Sequence, residues 1–177
     1  MTSIIKVDTL QDTGGNTILS SDGAGKVLTS KVNYPAFEAY LSVSQSLSDA
    51  TNTKIQYDTE VFDTNSCYDN TTNYRFTPTI AGKYYVYLQN TDFSATVSNL
   101  VTVYNMIYKN GSLYKSISFS FANNYARRAS PFVSAIIDMN GTTDYVEGFA
   151  HIDLSTSTPT VEANTQSTYF GAYRIGD

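Results

Sequence analysis

The sequence has little charge, one cysteine, one histidine and no tryptophan. Charged residues make up 15% of its 177 residues, below the roughly 25% of typical soluble domains, and the net charge is −5. Nucleic-acid binding needs clustered Lys and Arg, and the only adjacent basic pair is Arg127-Arg128, so we expect no nucleic-acid partner. Cys67 alone allows no intrachain disulfide and no thiolate zinc site. Stability must come from packing or assembly.

Long apolar runs are also absent. No run approaches the roughly 20 residues that span a bilayer, and the amino end lacks the basic-then-apolar order of a signal peptide. We therefore expect no membrane insertion. If the protein acts outside a cell, we expect it to be released by lysis.

The residues needed for catalysis are scarce. A serine or cysteine nucleophile would have His151 as its one possible imidazole base. The Gly148–Ile152 segment has a strand pattern, in which a lone histidine is typically a packing or surface residue. Because no nucleophile, base and orienting group can be combined, the sequence predicts no catalytic residue and no enzyme.

Acidic residues form two loose groups, which are Asp58, Glu60 and Asp63, and then Asp138, Asp144 and Glu147. Carboxylates on loops suit calcium, but neither group has the spacing of a calcium loop. A solvated face is the favoured interpretation, and a calcium site is the alternative. We predict no metal and no cofactor.

Aromatic and small polar residues are abundant instead. Tyr (15) and Phe (9) make up 14% of the chain, and aromatic side chains favour strands. Strand-length runs recur between polar turns, with Asn-Gly pairs at 110–111 and 140–141 typical of tight turns. An aromatic strand opens the main body at Phe37 and another ends it at Tyr169–Gly176. The pattern predicts an all-β antiparallel sandwich or jelly roll in which the first and last strands pair.

Residues 1–33 differ from residues 34–177, and we predict a domain boundary between them. No Tyr or Phe occurs before Tyr34, and two short apolar runs are separated by glycine-rich turns. Such short strands cannot bury a core of their own, so the segment needs a partner surface. Its candidate attachment residues are Ile4, Val7, Leu10, Ile18 and Leu19.

A series of motifs in the main body resembles the C1q/tumour necrosis factor-like domain. They are Pro35-Ala36-Phe37-Glu38-Ala39, Ile55-Gln56-Tyr57, Tyr68-Asp69, Tyr74-Arg75-Phe76-Thr77-Pro78, Ala81-Gly82-Lys83-Tyr84-Tyr85-Val86, Lys109-Asn110-Gly111 and Tyr169-Phe170-Gly171-Ala172-Tyr173. The resemblance implies a C1q/TNF-like two-sheet jelly roll that assembles as a homotrimer. It also implies that aromatic residues of one sheet meet near the three-fold axis.

The amino-terminal segment resembles the short leader on fibre-like structural proteins of marine tailed phages, especially cyanophages. The resemblance rests on Val7-Asp8-Thr9-Leu10-Gln11-Asp12, Gly15-Asn16-Thr17-Ile18 and Ser21-Asp22-Gly23. It implies that residues 1–33 mount a distal domain on other virion proteins, and that the protein is located at the phage particle surface.

Tyrosines are the main candidates for a trimer interface. Tyr84, Tyr85 and Tyr87 alternate along one strand, so aromatic rings lie on both of its faces, and one face is free for another surface. The predicted interface residues are Tyr84, Tyr85, Tyr87, Tyr104, Tyr108, Phe170 and Tyr173.

Polar loops at 44–53, 122–129 and 155–166 are candidates for binding host-surface glycans, because sugars stack on aromatic rings and bond to amides. Asn123, Asn124 and Tyr125 are the candidate ligand residues. The sequence thus predicts a trimeric tail or head fibre with a distal adhesion domain. The alternative is a capsid decoration protein without receptor function. A third possibility, a depolymerase, would need paired carboxylates in a groove.

Overall fold

The computed structural model describes residues 7–21, 23–24, 27–28, 35–94, 99–122 and 126–176. The chain divides into two compact units, Met1–Val32 and Asn33–Asp177. In the first unit, β1 (Thr9–Gln11), β2 (Thr17–Ser21) and β3 (Val27–Leu28) form an antiparallel sheet. The turn before β2 is closed by Asp12, whose Oδ1 accepts hydrogen bonds from the N–H groups of Gly14 and Asn16.

The attachment candidates that the structure describes in the first unit are exposed. They are Val7 (61%), Leu10 (48%), Ile18 (57%) and Leu19 (39%). Ile4 lies outside the described residues.

The second unit is all-β, as the sequence predicts. Its strands are β4 (Ala36–Tyr40), β5 (Gln45–Ser46), β6 (Thr53–Lys54), β7 (Thr59–Asp63), β8 (Tyr68–Asp69), β9 (Arg75–Phe76), β10 (Gly82–Gln89), β11 (Asp92–Ser94), β12 (Leu100–Lys109), β13 (Ser112–Ser120), β14 (Arg128–Ala129), β15 (Phe132–Met139), β16 (Val146–Leu154), β17 (Pro159–Val161) and β18 (Tyr169–Gly176).

Two large antiparallel sheets make up the sandwich. One has the strand order β15-β10-β18-β4-β7, and the other has the order β13-β12-β16-β9-β8, with β6 also paired to β16. In the first sheet β18 lies in the middle and pairs with β4, with Ala172 opposite Phe37. The predicted pairing of the first and last strands of the main body is therefore confirmed.

A small third sheet, with the order β14-β11-β17-β5, lies in segments that the sequence predicts as loops. Three of its strands fall within the predicted loops 44–53, 122–129 and 155–166. That part of the prediction is wrong, because strands of two or three residues are too short to show an alternating pattern.

The two Asn-Gly pairs have different roles. Asn110 (φ 51°) and Gly111 (φ 76°) form the predicted two-residue turn between β12 and β13. Asn140 and Gly141 instead connect strands that belong to different sheets. Gly141 has φ +71°, and a Cβ there would lie 2.3 Å from the backbone nitrogen of Ala81. Glycine at 141 therefore allows two loops to pass each other closely.

Aromatic rings fill the space between the two large sheets. Phe37 is fully buried, and its ring centroid lies 4.5 Å from that of Tyr68, 4.6 Å from that of Phe76 and 5.0 Å from that of Phe170. Tyr84 and Phe170 are fully buried in the same cluster. This core fixes which faces of β10 and β18 point outward.

Candidate functional site

The outward face of the five-stranded sheet carries a group of tyrosines. Along β10, Tyr84, Val86 and Leu88 point into the core, so Tyr85 and Tyr87 point outward. Tyr173 lies opposite Tyr85 on β18. We use the term tyrosine face for the surface formed by Tyr85, Tyr87, Tyr169 and Tyr173 together with Phe132 and Ile136 of β15.

The four tyrosine rings contact one another in sequence. Centroid distances are 5.8 Å from Tyr85 to Tyr87, 5.5 Å from Tyr85 to Tyr173 and 6.2 Å from Tyr87 to Tyr169. These distances lie in the favourable range for aromatic pairs. The rings line a shallow, open depression of about 480 Å³. The tyrosine face is therefore a pre-arranged aromatic surface.

Tyr87 is held in place from two directions. Its hydroxyl donates a 2.7 Å hydrogen bond to Glu38 Oε2, and a Cβ on Gly171 would lie 2.4 Å from the Tyr87 ring. Gly171 therefore leaves the space in which the ring crosses β18. Burial, reinforced by the bond to Glu38 and its charge, raises the pKa of Tyr87. The hydroxyl thus stays protonated and donates to the carboxylate.

Much of the apolar surface here is exposed. The exposed fractions are 57% for Ile136, 42% for Phe132 and 39% for Tyr173. The neighbouring edge strand β13 exposes Leu113 (54%), Tyr114 (48%) and Phe119 (42%). The Tyr114 hydroxyl donates a hydrogen bond to the carbonyl of Ile136 at 3.2 Å, which links the β13 edge to the tyrosine face. Exposed apolar side chains of this kind are typical of an interface.

The predicted interface residues separate into three groups. Tyr85, Tyr87 and Tyr173 lie on the tyrosine face. Tyr84 and Phe170 have no exposed surface in the monomer, so we remove them from the proposed interface. The sequence contained the signal for this correction, because Tyr169 and Tyr173 share one face of a strand and Phe170 must occupy the other. Tyr169 itself, Phe132, Ile136 and Glu38 were missed.

Tyr104 and Tyr108, the third group, lie on the outward face of the other large sheet. Tyr104 contacts His151 edge to face at 5.3 Å, and Tyr108 stacks on Phe149 at 4.0 Å. The Asn52 side chain joins the two pairs, with its Oδ1 2.9 Å from His151 Nδ1 and its Nδ2 donating to the Tyr108 hydroxyl at 3.1 Å. His151 is thus a half-buried strand residue in a surface network, as its sequence context predicts.

Cys67 is buried, and burial raises the pKa of its thiol. The loose acidic groups of the sequence are used within the fold. Glu147 pairs with Lys54 at 2.9 Å, and Asp144 pairs with Lys109 at 3.0 Å. Within the described ranges, no three His, Cys, Asp or Glu side chains are arranged to hold a metal ion. The same part of the chain contains no helix long and apolar enough to cross a membrane.

The chain enters the second unit at one end of the sandwich. There the N–H of Ala36 donates to Thr64 Oγ1 at 2.9 Å, and the N–H of Arg174 donates to the carbonyl of Pro35 at 3.3 Å. β4 runs away from this end to Tyr40, which pairs with Tyr169 at the start of β18. We call the end that carries Tyr40 and Tyr169 the distal end.

The three predicted glycan-binding loops gather at the distal end. Backbone hydrogen bonds connect them: Leu47 N–H donates to the Pro159 carbonyl (2.9 Å), Ser155 N–H to the Asn99 carbonyl (3.1 Å) and Leu100 N–H to the Ala126 carbonyl (3.1 Å). A polar depression of about 560 Å³, lined by residues 40–42 and 163–166, also lies there. Asn123, Asn124 and Tyr125 fall outside the described residues.

Comparison with known proteins gives matches in structure only. No family model and no curated protein matches the sequence. Murine APRIL superposes with a TM-score of 0.59 at 11% identity, covering 81% of this chain and 99% of that one. The Eiger TNF of S. frugiperda gives 0.58 at 11% identity, covering 83% and 95%.

The globular domain of zebrafish complement 1qA also matches, with a TM-score of 0.51 at 12% identity over 80% of this chain and 97% of that one. Identities this low establish the fold alone. The sandwich of two antiparallel sheets and its structural neighbours together show that this chain has a C1q/TNF-like jelly-roll fold.

Proposed function

We propose that the protein is a homotrimeric structural protein of a tailed-phage virion, mounted by residues 1–33, that displays its jelly roll for adhesion to host-surface glycans. The observation that carries the trimer is the tyrosine face. Gly171 and Glu38 position the Tyr87 ring, and the other tyrosine rings contact it or one another, before any partner binds. Few side chains therefore need to be ordered on association.

Two different apolar surfaces on one chain support a closed ring of subunits. The tyrosine face belongs to the five-stranded sheet, whereas the exposed Leu113 and Phe119 belong to the β13 edge. When one surface of a subunit binds a different surface of the next, the assembly closes into a ring if the rotation permits. The C1q/TNF-like resemblance implies a ring of three.

The virion role is supported by the first unit. Leu10, Ile18 and Leu19 are exposed on a sheet too small to bury them, and Val7, just before that sheet, is exposed as well. An exposed apolar set of this kind suits docking to another virion protein. Together with the resemblance of residues 1–33 to phage fibre leaders, this favours attachment through the first unit.

Adhesion is supported by the position of the loops. They lie at the end of the second unit opposite Pro35, where the chain enters, and they present hydroxyl and amide groups. A single shallow site would bind a glycan weakly, and three such sites on one trimer would raise the apparent affinity for the host surface through avidity. Structural neighbours in the TNF and C1q groups and the single His151 support binding without catalysis. The alternative remains a capsid decoration protein without receptor function.

Light scattering on the full chain at micromolar concentration tests the trimer. We expect three chains per particle, and expect Ile136→Asp to reduce this to one, because a carboxylate would be buried in the apolar contact. Val43→Asp is the matched control, since Val43 is also exposed (71%) but lies at the distal end. A wild-type monomer, or equal effects of the two variants, would contradict the proposed interface.

A further inference from the structure

The small sheet at the distal end contains a buried carboxyl group without a partner. Asp92 is fully buried, and neither of its carboxyl oxygens has a hydrogen-bond partner among the described residues. Buried charges are costly unless they are paired, and a buried acid commonly keeps its proton for this reason. The position of Asp92 therefore needs an explanation.

Asp92 occupies an inner strand of the small sheet. It lies opposite Ala129 of β14 and opposite Val161 of β17. On the other side of β17, Thr160 pairs with Ser46 of β5. Strand β11 therefore ties together the three loop segments that make up the distal end.

The described groups on the strands around Asp92 give its carboxyl no hydrogen-bond donor. On β14, Arg128 forms an ion pair with Glu162 at 2.7 Å. Strands β17 and β5 contain no titratable residue. Strands β12 and β16 turn Tyr104, His151 and Asp153 to the outward face of their sheet, since Val103, Ile152 and Leu154 fill the core side.

Tyr57 is the ionisable residue that interacts with Asp92. Burial raises the pKa of Tyr57, so its hydroxyl stays protonated. Its hydroxyl donates to Asn90 Oδ1 at 2.6 Å, and Asn90 Nδ2 donates to Asn105 Oδ1 at 2.8 Å. None of these groups donates a hydrogen bond to Asp92.

We propose that Asp92 is a protonated latch: its neutral carboxyl keeps β11 docked between β14 and β17, and its ionisation as the pH rises releases β11 and opens the loops of the distal end. Burial also raises the pKa of Asp92 well above its usual range. The latch goes beyond the proposed adhesion role and does not depend on trimerisation.

The sign of the pH effect follows from proton linkage. A carboxyl whose pKa is higher in the closed state than in the open state makes the closed state bind more protons. Raising the pH above the usual aspartate pKa of about 3.9 therefore favours opening, about tenfold for each pH unit until the buried carboxyl itself ionises. Strands β10 and β18 of the five-stranded sheet contain no carboxyl side chain, so they should remain closed.

Hydrogen exchange on the full-length protein tests the latch. We would compare wild type with Asp92→Asn at each pH from 5 to 9, so that the intrinsic pH dependence of exchange cancels in the ratio of rates. For β11 and β17 we expect the wild-type rate relative to the variant to rise about tenfold per pH unit over part of this range. For β10 and β18 we expect a constant ratio.

Asp138→Asn is the matched control, because the Asp138 side chain is 81% exposed. It should show the wild-type behaviour. If Asp92→Asn does not fold, the ¹³C shift of the Asp92 carboxyl in wild type gives the answer, since the latch requires a titration well above that of the other aspartates. A constant exchange ratio in β11, or an Asp92 carboxyl that titrates near 4, would overturn the proposal. Protection of wild-type β11 by calcium chloride at pH 9 would also overturn it, because the carboxylate would then be a cation ligand.

Discussion

Gly171 on β18 lies directly beneath the ring of Tyr87 on β10, so close that a Cβ at 171 would come within 2.4 Å of the Tyr87 hydroxyl. The Tyr87 ring thus fills the space that a side chain at position 171 would occupy. The ring in turn reaches over β18 to Glu38 on β4, and the hydrogen bond spans three adjacent strands.

Gly171→Ala should disturb the tyrosine face more than the fold. The atoms that a Cβ would meet are at the far end of the Tyr87 side chain, which can move away and lose its bond to Glu38. We expect the trimer dissociation constant to rise at least tenfold, about 1.4 kcal/mol, as measured by mass photometry.

Gly141→Ala provides the contrast. Its Cβ would meet the backbone of Ala81 at 2.3 Å, and φ is +71°, so no side-chain movement can relieve the strain. We expect a loss of about 1–3 kcal/mol in the free energy of unfolding with an unchanged subunit count for the folded fraction. Equal losses in the free energy of unfolding for the two variants would contradict the claim that Gly171 serves the tyrosine face and Gly141 serves the fold.

Phe170→Ala should lower the stability of the fold, whereas Tyr173→Ala should weaken assembly. Phe170 is fully buried among Phe37, Tyr57 and Tyr68, so its truncation should cost about 3–5 kcal/mol in chemical unfolding of the monomer. Tyr173 is 39% exposed, and its loss should weaken assembly while changing monomer stability by only about 0.5 kcal/mol. A trimer that tolerates Tyr173→Ala would remove this residue from the interface.

Asp69 should make the fold sensitive to acid. Hydrogen bonds from the backbone N–H groups of Thr72 and Thr71 and from Asn73 lower the pKa of its carboxyl. A lowered pKa gives stability that is present above the unfolded value of about 3.9 and is lost as the pH falls through the folded value. Thermal unfolding between pH 6 and 2 should therefore show a steeper decline for wild type than for Asp69→Asn, and Asp138→Asn should decline like wild type.

Removing residues 1–32 should leave assembly intact and abolish incorporation into virions. The first unit has its own small sheet, and the proposed trimer surfaces lie in the second unit. Light scattering of the truncated protein and immunoblotting of purified particles would check both parts. Particles that still carry the truncated protein would place attachment elsewhere.

Alanine at Asn123, Asn124 and Tyr125 together should weaken binding of the trimer to host cells. The three positions lie between Ala122 and Ala126, and Ala126 bonds to Leu100 at the distal end. The fold and subunit count should not change. If virions lacking the whole protein adsorb normally, the decoration role is favoured, and release of sugar fragments by purified trimer would contradict binding without catalysis.

The sequence predicts the long strands well and the short ones poorly. β10 and β15 have the bounds expected at 82–89 and 132–139, because long alternating runs and strong turns define them. The small sheet was missed, since pairings such as Asp92 with Val161 depend on loops brought together by the large sheets. The structure brings the predicted interface residues Tyr85, Tyr87 and Tyr173 together on the tyrosine face. Tyr104 lies on the other large sheet, because local patterns do not show the strand order.

The central position of β18 has a consequence for how the chain acquires its fold. Until residues 169–176 have been synthesised, the position between β4 and β10 is empty. The backbone N–H and C=O groups of β4 and β10 that pair with β18 then lack hydrogen-bond partners. Filling this gap joins β18 to β4, more than a hundred positions earlier in the chain. Contacts between such distant segments make folding slow. During that interval β4 and β10 can pair with β18 of a neighbouring chain instead. This topology therefore favours misfolding by exchange of β18 between subunits that are synthesised close together.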